Sequence, residues 1–241
     1  MATYVYAITA AQHPLRLDHL TGVGPEGSEL RLVTTEELSA VVSTAPEGLR
    51  AKRRDLAAHE SVLERLMADG AVLPMRFGLM APDDDQVRTA LLDEQASYLA
   101  RLEHLDDRLE YNLKVTREEK DLLREIVRTN PEVRQLNEET RLDTQTHHES
   151  RVRLGELISH EMQAHHSRVG DEIVQALAPA AVQTAPAETG APHFLNVSFL
   201  VDRDAAAAFS EAVHEDAETR GDAYTYHLRG PLPAYSFVDA R

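Results

Sequence analysis

The hydrophobic period of this chain switches several times, and the order of the switches restricts what it can fold into. TYVYAI, Thr3–Ile8, is rich in β-branched and aromatic residues and predicts a first strand. Pro14 and the Gly22–Gly27 cluster make the following stretch loop-like. ELRLVTTEELSAVVS then predicts two short strands, around Leu30–Val33 and Ala40–Ser43, joined by a turn at TTEE and close enough to pair antiparallel. From Lys52 the spacing becomes helical: His59, Val62, Leu63, Leu66 and Met67 recur three and four apart. VLPMRFGLM returns to strand-like residues. APDDDQVRTALLDEQASYLARLEHL predicts a second helix, capped by Asp83 or Asp84, with Val87, Leu91, Ala96, Leu99 and Leu102 as a stripe of imperfect period. RLEYNLKVT, Arg108–Thr116, alternates again, with Leu109, Tyr111, Leu113 and Val115 on one face.

Strand, two strands, helix, strand, helix, strand is the order of an α/β sandwich with helices on one face of a mostly antiparallel sheet. It follows the ferredoxin-like pattern with the first helix replaced by a loop. The expected fold class is therefore α+β in two domains. An N-terminal modified ferredoxin-like domain spans residues 1–107, and a C-terminal α+β domain spans 108–241.

The second domain is expected to carry a long helical arm. Thr116–Glu119 has the spacing of a capping box, and Leu122, Leu123, Ile126 and Val127 give an apolar face. Pro131 breaks or restarts that helix, because proline lacks the donor and clashes with the preceding turn. After the polar stretch NEETRLDTQTHHES a second long helix is expected over Arg151–Leu177, antiparallel to the first. Pro179–Pro192 reads as an Ala/Pro linker or loop. HFLNVSFLVDR reads as a buried strand with Leu195, Val197 and Phe199 on one side. A helix ending at Gly221, another strand and a stiff tail complete the chain.

Several function classes are disfavoured by what the residues lack. There is no cysteine among the 241 residues, which removes disulfides, thiolate nucleophiles and cysteine-held metals, and fits a reducing compartment. MATYVYAITAAQHP has no basic start before its apolar run, so no secretory leader is read and a cytoplasmic location is expected. No segment is apolar over the length needed to cross a bilayer. The formal charge of -16 repels nucleic acid and anionic lipid over long range. That charge serves either as a solubilising surface or as steering for a basic partner.

The titratable residues form no recognisable catalytic motif. HEMQAHH, His160–His166, is not HExxH, because His165 lies five positions after His160 and the two rings point apart on a helix. Glu161 and His165 share a face, but two ligands do not close a zinc site. His147 and His148 lie in the most polar stretch. There is no GxSxG elbow, and GVGPEG lacks the spacing of a phosphate or dinucleotide loop. No cofactor, metal or catalytic residue is expected. Two alternatives stay open: a metal-dependent hydrolase using Glu161 and His165, and a coiled-coil adaptor built on Glu118–Leu177.

Two stretches suggest interfaces instead. GAVLPMRFG, Gly70–Gly78, puts Pro74 and Arg76 in an apolar run. Pro74 suits an edge strand or bulge, where its missing donor costs nothing. Met75 and Phe77 share parity with Leu73 and are expected to face inward, with Arg76 facing a carboxylate, a partner or the neighbouring helix. The chain ends GPLPAYSFVDA, Gly230–Ala240, where two prolines stiffen the backbone and Tyr235 and Phe237 are candidate anchors. These rings either fold back on the protein's own core or shape a groove for a partner.

Taken together, YVYAI, LSAVVS, HESVLERL followed by GAVLPMRFG, EYNLKV with the helix after it, NVSFLVDR and the terminal GPLPAYSF resemble the gas vesicle protein F/L family, in family order and over nearly the whole chain. The ending departs from the GPWPPYSF-like form frequent in that family, since this chain has no tryptophan. The resemblance implies a non-enzymatic accessory protein of gas vesicle assembly with two α/β domains. It further implies contact with the small hydrophobic shell protein, gas vesicle protein A, and with other accessory proteins, in the cytoplasm or at the vesicle surface. Arg76 and Tyr235 are then the candidate partner-interface residues. Pro74, Met75, Phe77, Phe199 and Phe237 are the candidate core or motif residues.

Overall fold

The computed structural model describes residues 1–142 and 148–238. His147, and the tail beyond Val238 including Ala240, lie outside them. The chain divides into two compact units. The first comprises residues 1–111, 200–204 and 230–241, and the second comprises 112–199 and 205–229.

In the first unit β1 (Thr3–Ala10) is central and fully buried along most of its length. It pairs antiparallel with β3 (Leu38–Thr44), which pairs in turn with β2 (Arg31–Thr34). On its other side β1 meets two short pieces, β4 (Leu73–Pro74) and β5 (Met80–Ala81). The order β2-β3-β1-β4 is the ferredoxin-like one. The connection from β1 to β2 contains no helix, as expected from Pro14 and the glycine cluster. Its leucines, Leu15, Leu17, Leu20 and Leu30, pack on the core in place of a helix.

Helix α1 (Arg53–Asp69) buries His59, Val62, Leu63 and Leu66, so the period read from Lys52 onward gives the face. The helix expected from APDDD onward is two helices, α2 (Asp84–Asp93) and α3 (Gln95–Leu105), hinged at Glu94. The imperfect stripe is the trace of that break. Asp83 caps α2 by accepting from Gln86 N at 2.8 Å. Asp84, the second residue of that turn, instead receives Arg31 in bidentate fashion and the Thr3 hydroxyl. Those donors hold its carboxyl down at about 2.

The strand expected over VLPMRFGLM is interrupted. After Pro74 the backbone leaves the sheet and rejoins it at Met80, with Gly78 at φ 92°, where a side chain would be strained.

The second sheet is ordered β7-β8-β6-β9, from β6 (Arg108–Arg117), β7 (Gln183–Pro186), β8 (His193–Asp202) and β9 (Tyr224–Leu232). Its ends at 108–111, 200–202 and 230–232 count with the first unit. This is again the ferredoxin-like order, now with helices in both crossovers. The capping box expected at Thr116 does not form, because β6 keeps its extended backbone through Arg117 and α4 (Glu119–Thr129) starts after Glu118 without a side-chain cap.

Pro131 restarts the helix as α5 (Pro131–Leu142). The Asn130 side chain accepts from the backbone N–H of Glu132 and Val133, and proline fits the first helical position that follows. The long α6 (His148–Leu177) lays Leu154, Leu157, Ile158 and Met162 against Leu122, Ile126 and Val133. Farther along, Val169, Gly170, Ile173 and Leu177 are buried. A side chain at Gly170 would stand 3.6 Å from Leu195, so α6 packs on β8 there.

Residues 179–192 are not an unstructured linker. They include the end of a 3-10 turn (Ala178–Ala180) and the edge strand β7. Helix α7 (Ala206–Arg220) buries Phe209 and Val213 and stops at Gly221, φ 76°. Phe199 is fully buried, 5.1 Å from Phe209 between ring centroids.

Candidate partner-binding groove

The loop that leaves the sheet at Pro74 is tied down from beneath by the Tyr4 ring of β1 and the His59 ring of α1. Its first and last residues keep sheet-like bonds: Met75 N donates to Tyr6 O and Val5 N to Leu79 O. Inside the loop Leu79 N donates to Arg76 O, closing a turn. Gly78 N donates to the Tyr4 hydroxyl at 3.1 Å.

His59 sits at the centre, 2% exposed. Its Nε2 is 3.0 Å from Met75 O, which can only accept, so Nε2 carries the proton. The same atom is 3.1 Å from the Tyr235 hydroxyl. Nδ1 is then the acceptor and takes the Tyr4 hydroxyl proton at 2.9 Å. A neutral imidazole is thus fully partnered. Burial pushes its pKa below the usual value, against the pull of the Met75 carbonyl. Tyr6 stacks on the His59 ring at 5.5 Å, and Phe77 meets both Tyr4 and His59 edge-on at about 6 Å.

The C-terminal tail closes one side. Tyr235–Phe237 form a 3-10 turn. Glu110, 4% exposed, accepts from both the backbone N–H and the hydroxyl of Ser236, at 2.9 and 2.7 Å. Phe237 is buried, and Tyr235 packs on the cluster that contains Tyr4, Tyr6 and Leu63. Burial, with Glu60 nearby, pushes the Tyr235 phenol up to about 12, so it stays a neutral hydroxyl.

Loop and tail together form a groove of about 320 Å³ lined by Pro74, Met75, Arg76, Leu79, Tyr235 and Val238. Pro74 is buried on the edge strand, Met75 half-buried, and Arg76 exposed. Phe77, half-buried, is part of the ring cluster and not of the groove lining. Leu79 and its neighbour Met80 are 46% and 50% exposed, so two consecutive apolar side chains stand at the surface here. The groove therefore offers apolar walls, one guanidinium and one neutral phenol. These groups can make apolar contacts and hydrogen bonds, and they include no nucleophile and no acid–base pair.

Of the predicted residues, Pro74, Met75, Arg76 and Tyr235 come together here. Phe199 belongs to the second unit. The sequence reading missed Leu79 and Val238 as lining and Tyr4 and His59 as supports. The signals available were Tyr4 and Tyr6 on one strand face and His59 in the apolar stripe of α1, but nothing in the spacing says that these rings meet.

In the second unit His165, on the helix that also carries Glu161, is hydrogen-bonded to Arg117 and lies 3.1 Å from the Tyr224 hydroxyl, while Arg117 also pairs with Glu125 and stacks over Tyr224. Among the described residues no group of three or more His, Asp or Glu could hold a metal ion. A larger depression of about 580 Å³ runs past Arg31, Asp83 and Asp84, but Arg31 there is already bound to Asp84.

Comparison with known proteins gives consistent matches. The profile of the family described as "Gas vesicle synthesis protein GvpL/GvpF" matches residues 2–239. A protein of Streptomyces sp. (strain CB03234) named gas vesicle protein F is 39% identical, over 99% of this chain and 100% of the relative. Gas vesicle protein L of the same strain is 28% identical, over 98% of this chain and 92% of its own length. Among solved structures, GvpF from Anabaena sp. PCC7120 superposes with a TM-score of 0.84 at 20% identity, covering 100% of this chain and 99% of that one. GvpF from Microcystis aeruginosa gives 0.80 at 21% identity, covering 99% of each chain. At that identity the two structures speak for the fold.

Proposed function

The chain belongs to the GvpL/GvpF family of gas vesicle synthesis proteins, and from that premise we propose that it is a non-catalytic accessory protein that holds the hydrophobic shell protein during vesicle assembly. A role in gas vesicle formation follows from the family. The finer reading rests on the groove. Apolar walls, with Leu79 and Met80 exposed beside them, suit an apolar segment of a shell subunit, and Arg76 and Tyr235 give that segment polar anchors. A shell subunit on its own exposes apolar area and aggregates, and a carrier of formal charge -16 keeps the pair in solution. Work in the cytoplasm and at the vesicle surface, alongside other gas vesicle accessory proteins, is part of the same proposal. No helix among the described residues is long and apolar enough to cross a membrane.

The test is co-purification of the shell protein with the full chain at low and moderate salt. Wild type is expected to retain it and Leu79→Asp to lose it, with an unchanged unfolding midpoint because Leu79 is already half-exposed. Arg76→Ala is expected to lower vesicle yield more than it lowers stability. Equal recovery of shell protein by wild type and Leu79→Asp would sink the groove reading.

A further inference from the structure

A second surface of the first unit has a composition that its own folding does not require. Arg50, Lys52, Arg53 and Arg54 place four of the chain's 25 Lys and Arg residues within five positions. All four are exposed. Arg54 is engaged by Asp55 and by the Pro25 carbonyl. Among the described residues Arg50, Lys52 and Arg53 form no ion pair.

Two local effects oppose this arrangement. Three like charges crowd one another. Two of them, Lys52 at the N-cap and Arg53 at the first helical position, sit where the helix dipole is already positive and disfavours cations. Lys52 provides no capping hydrogen bond. The one acidic residue of the first turn, Asp55, turns its carboxylate to the Gly24 N–H at 2.9 Å.

We infer that Arg50, Lys52 and Arg53 form a docking surface for an acidic polypeptide segment of another protein. The occupant follows from charge complementarity and range. Nucleic acid and anionic membrane are extended polyanions, repelled by the rest of a chain of formal charge -16. A short run of carboxylates senses charges only within a Debye length, about 8 Å at physiological salt, and so reads the local cations. This surface is independent of the groove at Pro74–Leu79 and stands if that reading fails.

Fluorescence anisotropy of labelled decaglutamate with the full chain, at about 50 mM salt where exposed charges are weakly screened, tests the assignment. Wild type is expected to bind, and the R50Q/K52Q/R53Q variant to bind roughly tenfold more weakly with a flatter salt dependence, the product of three exposed ion pairs. The thermal midpoint of that variant is expected to be unchanged or raised, and Leu79→Asp is expected to bind the peptide like wild type. Absence of binding by wild type, or equal binding by the triple variant, overturns the inference. So does tighter binding of poly-uridine or phosphatidylglycerol vesicles than of decaglutamate, which would reassign the surface to polyanions.

Discussion

Removing a hydroxyl beneath the groove should cost very different amounts at two tyrosines that both touch His59. In Tyr235→Phe the imidazole keeps its bond from Nε2 to the Met75 carbonyl, 3.0 Å away, so no buried group loses its last partner. One modest hydrogen bond disappears, worth about 0.5–1.5 kcal/mol. In Tyr4→Phe the lost hydroxyl had two duties, donating to His59 Nδ1 and accepting from Gly78 N–H. Nδ1 belongs to a residue only 2% exposed, so it is left an orphan acceptor, costing about 1–3 kcal/mol. The Gly78 N–H is in an exposed residue and turns to water at smaller cost. The expected loss is therefore about 2–3 kcal/mol for Tyr4→Phe and about 1 kcal/mol for Tyr235→Phe. Equilibrium urea unfolding followed by tyrosine emission measures both, since the chain has seven tyrosines and no tryptophan to mask them. Equal losses in the two variants would refute the bonding pattern assigned to His59.

Acid should destabilise the protein in a defined window. His59, His13, His165 and His166 all have pKa values lowered mainly by burial, so below the ordinary histidine value of 6.5 the unfolded chain binds more protons than the folded one. Stability from these groups is fully present above that value and falls as pH drops through it toward the folded values; urea midpoints compared at about pH 7.5 and pH 5 should show this, with a smaller difference in His59→Gln. Phe199→Ala, at a fully buried ring, should cost about 3–5 kcal/mol in urea unfolding. Phe77→Ala should cost less, about 2 kcal/mol, because that ring is only half-buried, and a loss as large as that of Phe199→Ala would show the loop to be closed over it.

What the sequence disclosed follows from where one effect dominates. The face of α1 was legible because a single sheet covers it, and the restart at Pro131 because proline chemistry acts within a few residues, whereas the Asn130 cap was not read. The split at Glu94 was harder to see because no glycine or proline marks it, only a slip in the stripe. At Thr116 two local preferences competed, and strand continuation to Arg117 outweighed the capping box. The Arg117 side chain, held by Glu125, is reached only by that longer strand. Strand β7 was hidden because its Ala and Pro composition is that of a linker, and it exists only as an edge partner of β8. Arg76 and Tyr235 could each be singled out as motif residues, but their meeting in one groove depends on the tail docking through Ser236 on Glu110, a contact between residues far apart in sequence.

The polar chain under the groove has its own origin in a departure of the first unit from the ferredoxin-like pattern, the loop between β1 and β2. A helix between β1 and β2 would satisfy its own backbone and present only side chains to the sheet. The loop that replaces it brings bare N–H groups inside. Val23, fully buried, donates its N–H to the Tyr6 hydroxyl at 2.8 Å, and Gly24 donates to Asp55 of α1. Tyr6 also meets Ser43 of β3 at 2.9 Å. Gly22 allows no side chain, since a Cβ there would lie 2.2 Å from the Tyr6 hydroxyl. Once Tyr6 is committed to the loop, the neighbouring Tyr4 and His59 are left to one another and to the loop on the far side, Met75–Gly78. Two tyrosines and a histidine thus stand where an aliphatic core would otherwise be, one serving the loop that covers the sheet and the others serving the loop that walls the groove. A change of Tyr6 should therefore act mainly on the covering loop, and a change of Tyr4 mainly on the groove.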